Sequence, residues 1–473
     1  MADSHRCSSV AAELEGTLLI SGSLFPYFLL VALEAGGPLR AATLLALYPL
    51  AVLLGAAAAA ADLPLLAMTF LSTAGLPASD VSAVARATLP KFFLSDLRAS
   101  AFRSMATAGE SESERLVVVT RLPRLLAEPF VKEYLGPDVL VAGSELRLLA
   151  GRFTGTLASP SPASFLQVCK QRRLVVSPSP SPASAALPRS EYRRPLVFHD
   201  GRLVFRPEPL ACLAALLWVP LGVVLSVTRL LLGFLPHGAG LLLAAATGFR
   251  IRAAGLPSSA SRSTAARRGT LFACNHQTLM DPVILSTVLR RPVTAVTYSL
   301  SGFSEAIAPI RTVRLTRDRR TDAEIMRREL VARGGDLVVC PEGTTCREPY
   351  LLRFSPLFAE VAGDQQAVTP TAVRAGGALF HGSTVRGYKW LDSVFFLMNP
   401  APWYEIRILK PVATAVGGGG GGAAASREVA NGVQRVIGDE LGFECTGLTR
   451  KDKYRMIAGH DGVDARSAPA AAS

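Results

Sequence analysis

Charged residues are scarce in this chain. They make up 18% of its 473 residues, whereas hydrophobic residues make up 49%, and the mean hydropathy of +0.32 is high for a soluble protein. This balance indicates a membrane-associated protein with folded aqueous parts, and the length favours two or three domains. Acids are the scarcer charge, with 37 Asp and Glu against 50 Lys and Arg, a net charge of +13. Such a chain suits an anionic membrane face or phosphorylated substrates.

Three kinds of motif are missing. No two cysteines have the Cys-x-x-Cys spacing and no histidines stand at zinc-ligand spacing, so the seven dispersed cysteines are interpreted as reduced thiols facing the cytosol. No nucleic-acid-binding module appears and the basic residues are scattered, so no nucleic-acid partner is expected. No cleaved signal peptide is apparent, because a strand-like stretch occupies the place where one would stand.

One long stretch has no acids at all: neither Asp nor Glu occurs between Glu145 and Glu191. Ser-Pro repeats stand there instead, at 159–163 and 177–183, and predict loops. A hard cation such as Mg²⁺ needs carboxylate oxygens. This part of the chain therefore predicts no magnesium site.

The N-terminal segment predicts a strand that ends in a turn with two acids, Glu13 and Glu15, followed by Gly-Thr. A second buried-type strand ends at Thr120, and Lys132 follows on a predicted helix. This pattern resembles the haloacid-dehalogenase (HAD) phosphatase superfamily, which has two Asp at the first turn and uses the later Thr and Lys to hold phosphate. Glu in place of Asp moves each carboxylate by more than about 1 Å, which lowers the rate by a large factor. We expect a degenerate phosphatase site; an unrelated α/β domain with a chance motif is the alternative.

Two hydrophobic regions predict membrane contact. The first, at about 24–70, is a helical insertion that either crosses a bilayer or lies in its interface. The second, at 206–255, is a hairpin of two apolar spans interrupted by Arg229, with arginines at both outer ends. That charge pattern places both ends in the cytosol and Arg229 near the far side or in a re-entrant turn, and an interfacial pair is the alternative. Membrane lipid is thus an expected partner.

A short motif in the second half carries candidate catalytic residues. A strand-like run ends in Asn275-His276, and Asp281-Pro282 opens a helical run. The histidine can take a proton from a substrate hydroxyl, and the aspartate can hold the ring in the required tautomer. The alternative is structural, with Asp281 as an ordinary N-cap and Pro282 at the first helical position.

A basic group follows the strand-like segment at 310–314. It includes Arg317 and Arg319, whose guanidinium forks suit a phosphate, although a solvated basic face has the same pattern. The fourth and last segment of this group, at 367–373, is apolar and contains Pro370. It is either an edge strand or part of an acyl-chain site.

A further strand, at 336–339, leads into the turn Pro-Glu342-Gly343-Thr344, with Arg347 close behind. The Thr hydroxyls and exposed amides of such a turn can bind phosphate, and Glu342 can orient a sugar-alcohol hydroxyl.

In order and separation these four blocks resemble the glycerolipid acyltransferase family. With the phosphatase-like half and the hydrophobic hairpin, the whole chain resembles the plant, land-type glycerol-3-phosphate acyltransferases, in the subgroup with a degenerate Glu-x-Glu-Gly-Thr motif. The resemblance implies an α/β fold: a Rossmann-like HAD domain and a PlsC-like acyltransferase domain, joined by membrane-associated helices. It implies His276 as base, Asp281 as its orienting residue, and a glycerol-phosphate site. The residues implied for that site are Arg317, Glu342, Gly343 and Thr344, with Arg319 and Arg347 as additions.

The same resemblance implies glycerol 3-phosphate as acceptor, acyl-CoA as co-substrate, and no cofactor or metal. It implies acylation at sn-2 and release of lysophosphatidic acid without dephosphorylation, for cutin or suberin synthesis, at the endoplasmic reticulum with the site facing the cytosol. The alternatives are a lysophosphatidic acid acyltransferase, a lipid-phosphate phosphatase and a catalytically dead membrane adaptor. No feature of the sequence indicates an oligomeric state. The predicted divisions are the HAD-like domain at 1–205, the hairpin at 206–255, the acyltransferase domain at 256–450 and a disordered tail at 451–473.

Overall fold

The structure is a computed structural model of the chain. It describes residues 8–57, 62–109, 114–158, 172–174, 185–256, 269–298, 305, 308–332, 335–362, 367–414 and 423–461. The chain divides into two compact units, residues 1–201 with 206–217 and residues 202–205 with 218–473.

A four-stranded parallel sheet lies at the centre of the first unit, in the order β3-β2-β1-β6. Its strands are β1 (Ser8–Glu13), β2 (Glu114–Val119), β3 (Leu140–Ala142) and β6 (Arg172–Leu174). The apolar runs predicted from the sequence form the two central strands, because a parallel sheet covered by helices buries both faces. The hairpin β4 (Leu146–Leu149) and β5 (Arg152–Leu157) stands apart from this sheet.

Helices fill the connection between β1 and β2, and the predicted insertion at 24–70 forms the first three of them. Stacked aromatic rings pack these helices together. The ring centroids of Tyr27 and Phe93 are 4.3 Å apart, and those of Phe93 and Phe130 are 4.8 Å apart. The helices of this unit are α1 (Phe25–Gly36), α2 (Pro38–Ala57), α3 (Leu63–Thr73), α4 (Ala78–Ala87), α5 (Leu89–Asp96), α6 (Ala99–Gly109) and α7 (Arg124–Phe130).

The predicted hairpin at 206–255 has a different form from the one expected. One helix, α8 (Pro209–Leu232), runs straight through Arg229, and a shorter helix, α9 (His237–Ala246), follows. The Arg229 guanidinium is buried in the second unit, where it donates to carbonyl oxygens of Leu397 at 2.5 Å and Asn399 at 2.7 Å. The arginine therefore fastens the end of α8 to protein carbonyls instead of interrupting the helix. By length and composition, α2 and α8 could each cross a membrane.

The second unit is built on a larger mixed sheet in the order β10-β9-β11-β8-β13-β14-β7, with β15 paired to β13. Five neighbouring strands are parallel to one another: β10, β9, β11, β8 and β13. The last two, β14 and β7, run in the opposite direction. Its strands are β7 (Arg250–Ala254), β8 (Leu271–Cys274), β9 (Val293–Thr297), β10 (Arg311–Arg314), β11 (Asp336–Val339), β13 (Ala367–Gly376), β14 (Trp403–Ile408) and β15 (Val412–Ala413).

Helices cover both faces of this sheet over two apolar clusters, one around Phe358 and Ile437 and one around Phe396 and Tyr404. A small parallel pair, β12 (Tyr350–Leu351) with β16 (Glu444–Cys445), lies outside the sheet. The helices are α10 (Asp281–Leu289), α11 (Arg319–Arg327), α12 (Leu357–Ala362), α13 (Leu391–Leu397), α14 (Ala423–Leu441) and α15 (Arg450–Ala458).

Two expectations are corrected here. The segment around Pro370 is not an edge strand: β13 lies inside the sheet between β8 and β14, and the Pro370 carbonyl accepts from the Leu409 amide at 2.9 Å. The tail expected to be disordered from 451 begins instead with α15, a helix closed by a Thr449–Asp452 capping box. Residues 462–473 lie outside the described part of the chain.

Candidate active site

The site lies where two neighbouring parallel strands end. β8 and β11 are paired, with Ala273 opposite Val339, and His276 and Glu342 each follow three residues after that pair. Because the carboxyl ends of parallel strands meet at one edge of a sheet, residues 66 apart in sequence come into contact. The His276 amide donates to Glu342 Oε1 at 2.7 Å, which fixes the main chain of the histidine.

His276 and Asp281 form a pair at this edge. His276 Nδ1 lies 2.9 Å from Asp281 Oδ2, the imidazole is 15% exposed, and the carboxylate side chain is fully buried. An ionised carboxylate only accepts hydrogen bonds, so Nδ1 is the donor in this contact, and in the neutral ring Nε2 is then the nitrogen with a free lone pair. The pair thus has the arrangement of a base and its orienting acid.

Asp281 does not cap its own helix. It is the first residue of α10, and its carboxylate accepts from the turn before it: from the Gln277 amide at 2.7 Å and the Thr278 amide at 3.1 Å. An N-cap would accept from amides two or three residues later. Asp281 therefore closes the loop that carries His276, and the N-cap alternative is wrong.

Two hydroxyls complete the surroundings of Asp281. Tyr404 on β14 donates to Oδ1 at 2.9 Å, and its hydroxyl also touches the Thr278 hydroxyl. Tyr404 is fully enclosed by aromatic and aliphatic side chains, so its ring position is fixed by packing. Buried charge is tolerated only where hydrogen bonds satisfy it, and Asp281 receives donors on both oxygens.

Glu342 is a buried carboxylate with both oxygens in use. Oε1 accepts from the His276 amide, and Oε2 accepts from the Leu352 amide at 2.9 Å. Burial raises the pKa of Glu342 to about 8, while the two amides and the Lys453 ammonium act in the opposite direction. The structure thus gives Glu342 a holding role for the turn of His276, and the predicted contact with a substrate hydroxyl stays a prediction.

The turn after Glu342 contains a glycine with a positive φ and is contacted by a lysine from α15. Gly343 has φ of +68°, a left-handed conformation that favours glycine although a Cβ there would meet no atom within 4 Å. Lys453 of α15 donates to the Thr345 carbonyl at 2.5 Å and lies 3.4 Å from the Thr344 hydroxyl. The buried lysine places positive charge beside the turn predicted to hold phosphate.

Arg317 also stands at the carboxyl edge, beyond β10. Three strand spacings separate β10 from β8, about 14 Å in a sheet. Arg317 is exposed and has φ of +72°, rare for a residue with a side chain, and the buried Asp322 holds this turn by accepting from the Arg317 amide at 3.0 Å and the Thr316 amide at 2.7 Å. A strained main chain held in this way is typical of functional positions.

The two additional arginines have partners inside the protein. Arg319 forms an exposed two-pronged contact with Glu360. Arg347 is half-buried, and its Nε donates to the Ser383 hydroxyl at 3.2 Å. A role for either in binding glycerol phosphate stays a prediction.

Two thiols lie close to the His276–Asp281 pair. Cys274 Sγ and Cys340 Sγ are 3.5 Å apart, and the contact together with burial raises the pKa of Cys340 well above its ordinary value. Ligand atoms of His276, Asp281 and Cys340 lie within 4.8 Å of one another. Metal ligation by cysteine needs the thiolate, which this pKa opposes, and Nδ1 and Asp281 already bind each other. The expectation that no metal is needed stays a prediction.

In the first unit only two of the four predicted phosphatase-type residues meet. Glu15 is buried and accepts from the Thr120 hydroxyl at 2.5 Å, and burial raises the pKa of its carboxyl. Glu13 is exposed at the end of β1, and Lys132 donates to the Pro137 carbonyl at 2.7 Å.

The sequence assigned no role to several residues of the site. Asn275 is fully buried and exchanges two hydrogen bonds with Val373 of β13, and Tyr404 and Lys453 reach the site from elements more than 120 residues downstream of His276. Only Asn275 adjoins a recognisable motif. The others depend on tertiary folding, which a single sequence does not display.

Comparison with known proteins finds matches in both halves of the chain. Residues 9–181 match the family described as "Glycerol-3-phosphate acyltransferase RAM2-like, HAD-like domain", and residues 258–373 match the family "Acyltransferase". The solved structure of a 1-acyl-sn-glycerophosphate acyltransferase, PlsC, from Thermotoga maritima aligns with 48% of this chain and 93% of its own, at 18% identity and a TM-score of 0.28.

Two plant relatives align with nearly the whole chain. Glycerol-3-phosphate acyltransferase RAM2 of Petunia hybrida is 40% identical over 481 residues, which cover 95% of this chain and 97% of that protein. Glycerol-3-phosphate acyltransferase 1 of Arabidopsis thaliana is 40% identical over 499 residues, 97% of this chain and 83% of that protein. The predicted fold class and enzyme family are confirmed: this chain belongs to the plant glycerol-3-phosphate acyltransferases that carry a HAD-like N-terminal domain.

Proposed function

We propose that this enzyme moves an acyl group from acyl-CoA to the sn-2 hydroxyl of glycerol 3-phosphate and releases lysophosphatidic acid with its phosphate intact. The observation that carries this proposal is the His276–Asp281 pair, joined at 2.9 Å on a turn whose main chain is held by Glu342. The sn-2 position and a role in cutin or suberin synthesis rest on the resemblance stated above.

The reaction needs one base and no covalent enzyme intermediate. His276 Nε2 takes the hydroxyl proton while Asp281 stabilises the imidazolium that forms. The substrate oxygen attacks the thioester carbonyl, and the tetrahedral intermediate collapses by breaking the carbon–sulfur bond. The proton on His276 then passes to the departing CoA thiolate, which restores the neutral ring.

Positive charge at this sheet edge supports a phosphorylated acceptor. Arg317 follows β10 at the same edge, and Lys453 lies 3.4 Å from the Thr344 hydroxyl in the turn after Glu342. Arginine binds phosphate by two parallel hydrogen bonds, so Arg317 is the expected phosphate ligand.

A membrane location fits the apolar helices α2 and α8, whose described leucines are largely exposed. Lipid contact would cover these side chains, and an acyl-CoA donor and a lysophospholipid product both partition into such a surface. We place the enzyme at the endoplasmic reticulum with the site facing the cytosol.

The test uses microsomes that contain the full chain, glycerol 3-phosphate and a panel of acyl-CoAs. The product's regiochemistry and phosphate content are then measured. We expect 2-acyl lysophosphatidic acid. Phosphate release on addition of Mg²⁺ would indicate a phosphatase, transfer only to lysophosphatidic acid would indicate the later acyltransferase step, and no transfer to either would indicate an adaptor; each outcome contradicts the proposal.

A further inference from the structure

Lys453 is a buried cation on α15. Its side chain belongs to a residue only 5% exposed, and its Nζ donates to the Thr345 carbonyl at 2.5 Å and to the Thr345 hydroxyl at 3.3 Å. Burying an ammonium group is costly unless acceptors surround it. An apolar side chain would fill the same space without that cost, so the contacts made by the charge point to a role beyond packing.

The peptide group between Thr345 and Cys346 links this lysine to His276. The carbonyl of that group accepts from Lys453, and its N–H, the Cys346 amide, donates to the His276 carbonyl at 2.8 Å. A cation on the carbonyl side polarises a peptide group and strengthens the hydrogen bond that its N–H donates. The two hydrogen bonds therefore form a short chain from the ammonium group to the main chain of His276.

The turn holds both main-chain polar groups of His276. The His276 amide donates to Glu342 Oε1 at 2.7 Å, and the His276 carbonyl accepts from the Cys346 amide. The side chain of Gln277 adds a third bond, to the Cys346 carbonyl at 2.8 Å. Burial raises the pKa of Glu342, and the charge of Lys453 acts against that rise and so favours the ionised carboxylate. The lysine thus supports both of the contacts that hold His276.

Helix α15 has other attachments to the second unit. A capping box closes its first turn, the Tyr454 hydroxyl accepts from Lys389 Nζ at 2.8 Å, and Ile457 is 1% exposed. The position of the helix is therefore not set by the ammonium group of Lys453 alone. This separates two roles that a variant can distinguish, docking of the helix and support of the turn.

We propose that Lys453 is a positioning residue for acyl transfer: it holds the Thr345–Cys346 peptide group, and through that group it fixes the main chain of His276. The inference rests on the role of His276 as base in the proposed function. It assigns Lys453 no direct contact with substrate, because the side chain is almost completely buried.

The experiment compares full-length Lys453→Met with wild type in microsomes, with protein amounts measured by immunoblot. Methionine keeps an unbranched side chain of similar length and removes the charge and its donors. We expect kcat for acyl transfer to glycerol 3-phosphate to fall by about 10–100-fold, the effect of losing a hydrogen bond to a charged group, with little change in KM for acyl-CoA. Lys453→Gln, which also removes the charge, should show the same loss and covers the case in which Lys453→Met does not fold.

Two variants on the same helix separate positioning from stability. Lys451→Met removes a cation from the exposed side of α15 and should leave kcat at the wild-type level. Ile457→Ala shortens a buried side chain, so it should lower the unfolding temperature but keep kcat at a temperature where the variants are folded. Equal loss of kcat in Ile457→Ala and Lys453→Met would assign the effect to helix docking and overturn the proposal.

Hydrogen exchange gives a measurement that does not depend on acyl transfer. By mass spectrometry, the peptide that contains the Cys346 amide should exchange faster in Lys453→Met than in wild type or Ile457→Ala, because its polarised partner bond is weakened. A wild-type kcat in the folded Lys453 variants would overturn the proposal and leave His276 as the base. Wild-type transfer by His276→Ala would instead contradict the base assignment itself, so the two failures are distinguishable.

Discussion

Buried carboxylates fix the positions of the functional side chains in the second unit. Asp281 accepts from the turn that carries His276, Glu342 accepts from the His276 amide itself, and Asp322 accepts from the Arg317 amide. A buried carboxylate without donors is costly, so each of these turns is restricted to the conformation that supplies them. The base and the predicted phosphate ligand are thus placed by acids that need not touch the substrate.

The Tyr404 hydroxyl tests this positioning. Tyr404→Phe keeps the packed ring but removes the donor to Asp281 Oδ1. A hydrogen bond to a charged group contributes roughly 1.5–3 kcal/mol, so we expect kcat to fall by about 10–100-fold while KM for both substrates changes little. Steady-state kinetics measure this split. Tyr27→Phe, at a buried tyrosine of the first unit, is the control; equal loss in both variants would assign the effect to stability.

Arg317 should act on the acceptor alone. Arg317→Ala removes the expected phosphate ligand, and loss of a charge-assisted contact should raise KM for glycerol 3-phosphate by roughly 10–100-fold with little change for acyl-CoA. Initial rates with each substrate varied in turn measure the effect. Arg435→Ala, on the exposed side of α14, should change neither constant. A lower protein level with both constants unchanged in Arg317→Ala would indicate a structural basic cluster.

Glu342 should make stability depend on pH. Burial raises its pKa from 4.5 to about 8 in the folded protein. A raised folded pKa means that the stabilisation is complete below the unfolded value and is lost as the pH rises through the folded one. We expect the unfolding temperature of purified protein to fall between about pH 5 and about pH 8 and then to level off. Thermal scans at a series of pH values measure this profile. Glu342→Gln, which cannot titrate, should have a flatter profile; parallel profiles would contradict the assignment.

The sequence predicts the short-range part of the site and misses the rest. His276 and Asp281 are five residues apart on one turn, so their contact follows from local chemistry. Tyr404 and Lys453 have no such pattern, and Lys453 lies in a segment whose composition predicted disorder. Burial of a lysine is decided by the carbonyls it meets after folding, and a single sequence does not show them.

At the scale of elements, apolar runs bounded by turn residues predict strands in both sheets. The runs at 271–274 and 336–339 are strands as expected, because buried parallel strands are continuously apolar. Pro370 favoured an edge strand, yet β13 lies inside the sheet between β8 and β14. The neighbouring strands pair with β13 although Pro370 has no N–H to donate. Arg229 predicted a break in an apolar run, yet α8 continues, since carbonyl oxygens of the second unit satisfy the charge.

Helix α8 should carry much of the membrane affinity. Leu217 is 73% exposed and Val224 is 61% exposed, and their spacing of seven places them on one face. Replacing both with Asp puts two charges on that face, and each charge in an apolar membrane segment costs about 2.5–3.5 kcal/mol. We expect the variant to leave the membrane pellet after alkaline washing, while Val436→Asp on α14 stays with wild type. Retention of the α8 variant would show that the helix is not the lipid contact.

At the scale of the whole molecule, each of the two units has acids just after the ends of parallel strands, with different surroundings. In the second unit the acids hold a histidine whose ring is reachable from solvent. In the first unit Glu15 is buried and accepts from the Thr120 hydroxyl, and the acid-free stretch from 146 to 190 supplies no carboxylates for a cation. The described residues of the second unit therefore have the groups for acid–base chemistry, and we predict no phosphatase activity for the first unit.

The most direct test of the account is single-turnover acyl transfer to glycerol 3-phosphate by His276→Ala in the full chain, with unfolding temperature and membrane recovery matched to wild type. A positioned base contributes roughly 10²–10⁴ in rate, so the account predicts a loss of that size with substrate binding retained. Transfer by His276→Ala at a rate near wild type would contradict it.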